Sequence, residues 1–319
     1  METAYMKAKR AVEEARHIAI IGHLNPDADA LGTGLGLWWI LKGLGKRVDI
    51  VNMSDPLPQI LSFLPGFEKI KKQLRPDVDL MISVDCGSFD RLGVERPESA
   101  KLINIDHHRS NTGYGDINLV EPHFASASET AFRLVTASGW EIPKNAAINF
   151  YAALLSDTGF FGYEGVCERV FDFAKALLRL GADAEWTARM FRENQPLSKL
   201  RLLPKVLETL TLYLQGRVAG LDVTQQMLRA SGATVNETDD MVNYARSLAT
   251  VEVGFLVREE SDGTLKVSLR SKTNVDVSAI AKRFGGGGHI RAAGFIVRGM
   301  ERDVLIEKLL KMIEGEMKL

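Results

Sequence analysis

The stretch His17-Ile18-Ala19-Ile20-Ile21-Gly22-His23-Leu24-Asn25-Pro26-Asp27-Ala28-Asp29 decides the fold. Ile18–Ile21 is an apolar block without polar alternation, the mark of a strand covered on both faces. It runs straight into a loop carrying one imidazole and two carboxylates, and a helical pattern begins near Ala30. Three further blocks of this kind, Val48–Val51, Leu80–Val84 and Leu102–Ile105, alternate with longer helical patterns up to about Asp157. That alternation predicts an α/β unit, a mostly parallel sheet with flanking helices. In such sheets chemistry gathers at the carboxyl ends of the strands.

Those ends carry ionisable groups. Hard carboxylate oxygens and imidazoles without a thiolate suit Mn²⁺, Mg²⁺, Co²⁺ or Fe²⁺ better than a structural zinc site. Taken alone, His23–Asp29 reads equally well as a solvated histidine followed by Asp29 capping the helix. Asp85, in Val84-Asp85-Cys86-Gly87, and the triplet Asp106-His107-His108 each end a buried run, where a carboxylate needs a positive partner. Each is also a plain turn candidate, but three strand ends delivering acids and imidazoles to one crevice are better explained by metal. Asp157 closes a helical segment that starts near Asn145, and by itself it fits a polar helix terminus with Gly159 as the turn.

Length and composition bound the rest. At 319 residues the chain exceeds one ordinary core and suits two domains. The 40 Lys and Arg stand against 41 Asp and Glu, a net charge of −1, so no global field holds long nucleic acid. Met1–Arg16 is a charged run without a signal-peptide core, and Ala30–Leu41, interrupted by Gly32, Gly34 and Gly36, falls short of the roughly 20 residues that span a bilayer. Cys86 and Cys167 have neither metal-type nor disulfide-framework spacing and read as packing residues. The expectation is a cytoplasmic protein without membrane association.

After about Gly216 the pattern becomes α+β. Strands are expected at Arg217–Thr224, Val251–Arg258, Leu265–Lys272 and near Ala293–Val297, with helices near Val277–Phe284 and at Glu301–Met317. Ser261-Asp262-Gly263 is hairpin chemistry between two of them. Between Thr264 and Arg298 the cations Lys266, Arg270, Lys272, Lys282, Arg283, Arg291 and Arg298 face the single acid Asp276. Gly285–Gly288 is read as a loop whose bare backbone amides admit a phosphate, with His289 at its exit. For the glycine run alone, a flexible turn beside a solvated basic face is the plainer reading.

His23-x-x-x-Asp27-x-Asp29-Ala30, Asp85, Asp106-His107-His108 and Asp157 resemble, in order, the motifs of the DHH phosphoesterase superfamily. Gly285–His289 followed by Ala292-Ala293-Gly294 resembles the signature of the DHH-associated C-terminal domain, so the resemblance covers nearly the whole chain. Ala28 stands where a glycine is frequent. The resemblance implies a catalytic domain over 1–190, a helical linker over 191–215 and a substrate-binding domain over 216–319, with the active site in the cleft between domains. It implies two divalent ions, Mn²⁺ foremost, one held by His23, Asp27 and Asp85 and the other by Asp29, Asp85, His107 and Asp157, with a hydroxide activated between them. His108 is then assigned to the scissile phosphate or leaving oxygen, and Asp106 to orienting a histidine. Asn25 and Asn111 are expected to lend hydrogen bonds, and Arg270, Ser271, Arg283, Gly286, Gly287, Gly288 and His289 to grip the substrate.

Length and spacing resemble the stand-alone bacterial branch acting on very short RNAs, on 3′-phosphoadenosine 5′-phosphate (pAp) and on linear or cyclic di-adenylate, and that resemblance implies a homodimer. The competing readings are a manganese pyrophosphatase, which carries a different C-terminal domain, a single-strand DNA exonuclease, which adds nucleic-acid modules, and a nonenzymatic nucleotide sensor.

Overall fold

Ile18 and Ile20 point to one side of strand β1 (His17–Gly22) and Ala19 and Ile21 to the other, and all four are buried. In this computed structural model, which describes residues 2–272 and 275–317, β1 is flanked by β2 (Arg47–Val51) and β3 (Leu80–Val84). Beyond β3 follow β4 (Lys101–Asp106) and β5 (Ile117–Val120), giving the all-parallel order β2-β1-β3-β4-β5. The order reverses between β1 and β3, which opens a crevice at their carboxyl ends. β5 is a short edge strand with half-buried residues, and its sequence carries no run long enough to announce it.

Six helices accompany this sheet: α1 (Ala4–Glu14), α2 (Ala28–Gly43), α3 (Ala127–Ser138), α4 (Lys144–Asp157), α5 (Glu168–Arg179) and α6 (Ala184–Glu193). They cover the face of Ile18, Ile20, Ile82, Ile103 and Ile105. The opposite face, with Ala19, Ile21, Met81 and Leu102, is covered by irregular segments through Val78, Leu92 and Ala100. Both faces are dry, which is why the strands read as unbroken apolar runs. Cys86 packs in the second layer as expected, whereas Cys167 is exposed at the N-cap of α5, against the packing role read for it.

The chain divides into two units, Met1–Asn194 and Gln195–Leu319. The second contains α7 (Leu197–Leu207), β6 (Thr211–Tyr213), β7 (Val218–Val223), α8 (Gln225–Ser231), α9 (Val242–Ser247), β8 (Val253–Glu259), β9 (Leu265–Ser271), α10 (Val277–Arg283), β10 (Gly287–His289), β11 (Ala292–Val297) and α11 (Arg302–Met317). Its sheet has the order β10-β11-β9-β8-β7-β6, antiparallel except between β7 and β8. The stretch 191–215, read as a linker, differs from that reading. Leu202 and Val206 of α7 are fully buried with Ala219, Leu221 and Leu256, so the helix is part of the second unit's core.

Candidate metal centre

The backbone at two strand ends is wound to aim side chains into the crevice. Asp85, the first residue after β3, has φ of 51°, and Asn25, in the loop after β1, has φ of 53°. Asp85 N–H stays in register by donating to the Ile105 carbonyl, while its carboxylate turns inward. Asn25 is held through its backbone N–H by Ser54 Oγ at 2.7 Å. Asp27, not Asp29, caps α2, accepting from Ala30 N–H at 3.0 Å, so the capping alternative for Asp29 does not hold.

Asp29 is instead buried and engaged on three sides. Its Oδ1 accepts from Thr33 Oγ1 at 2.9 Å and Ser128 N–H at 3.2 Å, and its Oδ2 accepts from Ala127 N–H at 2.6 Å. Two of those donors are the first amides of α3, where a carboxylate is favoured by the helix dipole. The Ser126-x-x-Glu129 capping signature marks that helix start in the sequence, a signal the motif reading did not use.

Both inner histidines present the same nitrogen. His23 Nδ1 donates to the Leu24 carbonyl at 2.8 Å and His107 Nδ1 to the Phe124 carbonyl at 3.2 Å. A carbonyl only accepts, so the Nδ1 proton is fixed and the Nε2 lone pair is turned to the carboxylates. His23 Nε2 lies 3.7 Å from Asp85 and 3.9 Å from Asp27. His107 Nε2 lies 3.2 Å from Asp157, 3.6 Å from Asp85 and 3.7 Å from Asp29. His108 Nδ1 sits 2.8 Å from Asp106 Oδ1 and 3.5 Å from Asp85 Oδ1. Asp106 also accepts from His107 N–H and from Asn111, so it holds the triplet's shape from below.

Three sets of donor atoms close enough to share an ion result: His23, Asp27 and Asp85; Asp29, His107 and Asp157; and Asp85, His107 and His108. The residues fit divalent cations. Asp85 Oδ1 is buried without a hydrogen-bond partner among the described residues, which is costly for a carboxylate unless a cation faces it. Asp27, with 56% of its side chain exposed, forms the open edge.

Without a metal the site balances its charges with protons. Burial, then the charges of Asp85 and Asp157, hold the Asp29 carboxyl well above its usual range. Burial opposes charging of His23, but Asp85 and Asp27 outweigh it and raise the imidazole to about 9. His107 is raised well above its ordinary value against burial by Asp157 and Asp85, and His108 by Asp106 and Asp85. Asp85 runs the other way: burial resists, but His107 and His23 hold its carboxylate far below the usual range.

The predicted grip residues lie in the second unit. Arg270 and His289 both stand opposite Ala292 of β11, on its two sides, so they share one cross-strand row. Ser271 is buried and its Oγ has no hydrogen-bond partner among the described residues. The glycine loop is corrected in part. Gly285 and Gly286 donate to the Lys282 and Ala281 carbonyls and close α10, and Gly287–His289 is strand β10, so the run does not offer four free amides. A Cβ on Gly286 would meet the Gly294 carbonyl at 2.2 Å, which makes this glycine a packing requirement. Arg283 pairs with Glu316 at 3.0 Å, and Phe284 stacks on Phe295 with centroids 4.2 Å apart.

Residues 17–156 match the DHH family, N-terminal domain, and residues 220–319 the DHHA1 domain. The chain is 33% identical to the bifunctional oligoribonuclease and PAP phosphatase NrnA of Thermus thermophilus, over 97% of this chain and 92% of that one. It is 28% identical to the protein of the same name from Bacillus subtilis, over 85% and 86%. A crystal structure of an exopolyphosphatase-related protein from Bacteroides fragilis, 26% identical, matches with a TM-score of 0.89 over 99% of this chain and 98% of that one. Fold, acidic-imidazole cluster and these likenesses define a metal-dependent phosphoesterase, a hydrolase of phosphate esters. The chain belongs to the DHH family and carries the DHHA1 domain behind the DHH domain. Among the described residues, no helix is long and apolar enough to cross a membrane.

Proposed function

We propose that this enzyme hydrolyses phosphate esters in short oligoribonucleotides, in pAp and in linear or cyclic di-adenylate, with two Mn²⁺ ions. Asp85 carries the reading. Its buried carboxylate belongs both to the set with His23 and Asp27 and to the set with His107 and His108, the position a bridging ligand occupies. His23, Asp27 and Asp85 would hold one ion and Asp29, Asp85, His107 and Asp157 the other. When bound, such a pair supplies Lewis acidity and a water of lowered pKa.

The chain's own groups do the rest. His108, oriented by Asp106 through Nδ1, presents its other ring nitrogen to the phosphate or the leaving oxygen as hydrogen-bond or proton donor. Arg270 and His289, sharing a row, bind phosphate and sugar together with Ser271, Gly287 and Gly288. The choice of short nucleotides is supported by the oligoribonuclease and PAP phosphatase relatives and by the local character of the basic patch in a chain of net charge −1.

The test is a panel. Metal-free protein, with and without Mn²⁺, is offered a di-adenylate, a short RNA, pAp, pyrophosphate and a long single strand. Turnover of the first three with Mn²⁺ is expected, and release of phosphate from pyrophosphate alone would sink the proposal.

A further inference from the structure

The turn before α3 fixes ligands of only one half of the metal centre. Ala127 and Ser128 N–H hold Asp29, and the Phe124 carbonyl takes the Nδ1 proton of His107. Thr130 Oγ1 of the same helix donates to the Asp106 carbonyl at 3.4 Å. The other half is fixed elsewhere, His23 by the Leu24 carbonyl and Asp27 by Ala30 N–H.

A variant of the capping box, its glutamate reaching one residue past the cap, shapes this turn. Ser126 Oγ accepts from Glu129 N–H at 3.3 Å, and Glu129 Oε2 accepts from Ala125 N–H at 3.0 Å. A capping glutamate usually faces water, yet only 6% of the Glu129 side chain is exposed. Its remaining oxygen, Oε1, accepts from Arg169 Nε of α5 at 2.6 Å. The same guanidinium donates through Nη2 to the His123 carbonyl and lies 5.0 Å from the Phe124 ring centroid. One planar fork therefore grips the turn at the capping acid, at a backbone carbonyl and at the residue whose carbonyl orients His107. A single ammonium cannot make all three contacts.

We infer that Arg169 is a positioning residue for the Asp29–His107 half of the metal centre, acting through Glu129, His123 and Phe124. The inference rests on the metal reading above. Arg169 contacts Glu129, the His123 carbonyl and the Phe124 ring, and its effect is selective: it sets where one ion's ligands stand and leaves the other's alone.

The test uses the full-length, metal-free protein titrated with Mn²⁺ by calorimetry, with bound ions counted by elemental analysis. Wild type is expected to take two ions per chain. In Arg169→Met one dissociation constant should rise about tenfold or more, as outer-shell losses do, while the other stays within about twofold. Arg169→Lys, keeping the charge, should recover part of the loss. Glu129→Gln, which keeps an acceptor for Ala125 N–H, should weaken the same ion and serves if Arg169→Met unfolds. Adding Arg169→Met to Asp29→Asn should weaken the remaining ion no further. Arg179→Met, on the same helix, should change neither constant. Two unchanged constants in Arg169→Met and Glu129→Gln, or equal weakening of both ions, overturn the brace while leaving the metal reading intact. A wild type that takes fewer than two ions removes the metal reading and the brace with it.

Discussion

Asp85 joins conformation and chemistry in one residue. A left-handed φ costs an L residue roughly 1–2 kcal/mol, and aspartate and asparagine tolerate it best. Asp85→Asn therefore keeps the backbone preference and removes the charge. The variant should fold, retain fewer than two Mn²⁺ per chain by elemental analysis, and lose more rate than the about 10–100-fold typical of outer-shell changes. His108→Gln should instead keep both ions while kcat falls about 10²–10⁴-fold, the range for general acid–base groups. The raised His23 imidazole sets a pH window. Its proton is bound up to about 9 in the metal-free fold against an ordinary histidine value of 6.5, so it stabilises that fold fully below 6.5 and ceases to as pH rises through 9. A metal must displace the same proton. Apparent Mn²⁺ affinity should consequently climb between about pH 7 and 9, with proton release seen by calorimetry in buffers of different ionisation enthalpy; a flat profile would count against His23 as ligand.

At the scale of elements, α2 and α4 hold Asp29 and Asp157 near each other because α2 carries glycines where α4 crosses it. A Cβ on Gly32 would stand 2.5 Å from the Asn149 carbonyl, and one on Gly36 2.3 Å from the Phe150 ring. Gly32→Ala should force the helices apart, destabilising the metal-free protein by about 1–3 kcal/mol in thermal or denaturant unfolding and weakening Mn²⁺ binding. Gly43, at the end of α2, has nothing within 4 Å of an added Cβ, and Gly43→Ala should be neutral or stabilise by up to about 1 kcal/mol. The long elements were legible in the sequence since apolar blocks such as Leu80–Val84 and the helix ending at Asp157 are unbroken. β6, β10 and β5 were not, because strands of three or four residues at sheet edges bury too little to leave a pattern.

For the whole molecule the decisive quantity is charge. With a net charge of −1, the proposed grip on nucleic acid rests on a local patch, and affinity is expected not to grow with strand length. Extending an oligoribonucleotide beyond a few residues should leave KM unchanged or raise it, which initial rates across a length series will show. A KM that falls steadily with length would point to an extended track along the surface. The two sheets answer to different patterns. The first is parallel and dry on both faces. The second is antiparallel with one parallel pair; its central strands Val218–Val223 and Val253–Glu259 are buried nearly throughout, while Leu265–Ser271 alternates, with Val267, Leu269 and Ser271 buried between half-exposed neighbours.

The sequence by itself determined the long helices and strands, the parallel character of the first sheet and the set of residues from which the candidate metal centre is drawn, because buried strands and strand-end acids leave local signatures. Only the tertiary structure decided how those residues divide their work. Asp27 took the helix cap and Asp29 the amides of α3, the amides of Gly285 and Gly286 went to closing α10, and Arg169 reached the turn beneath His107. The contacts of Asp29 and of Arg169 join residues 98 and 40 positions apart, and no local pattern encodes that distance.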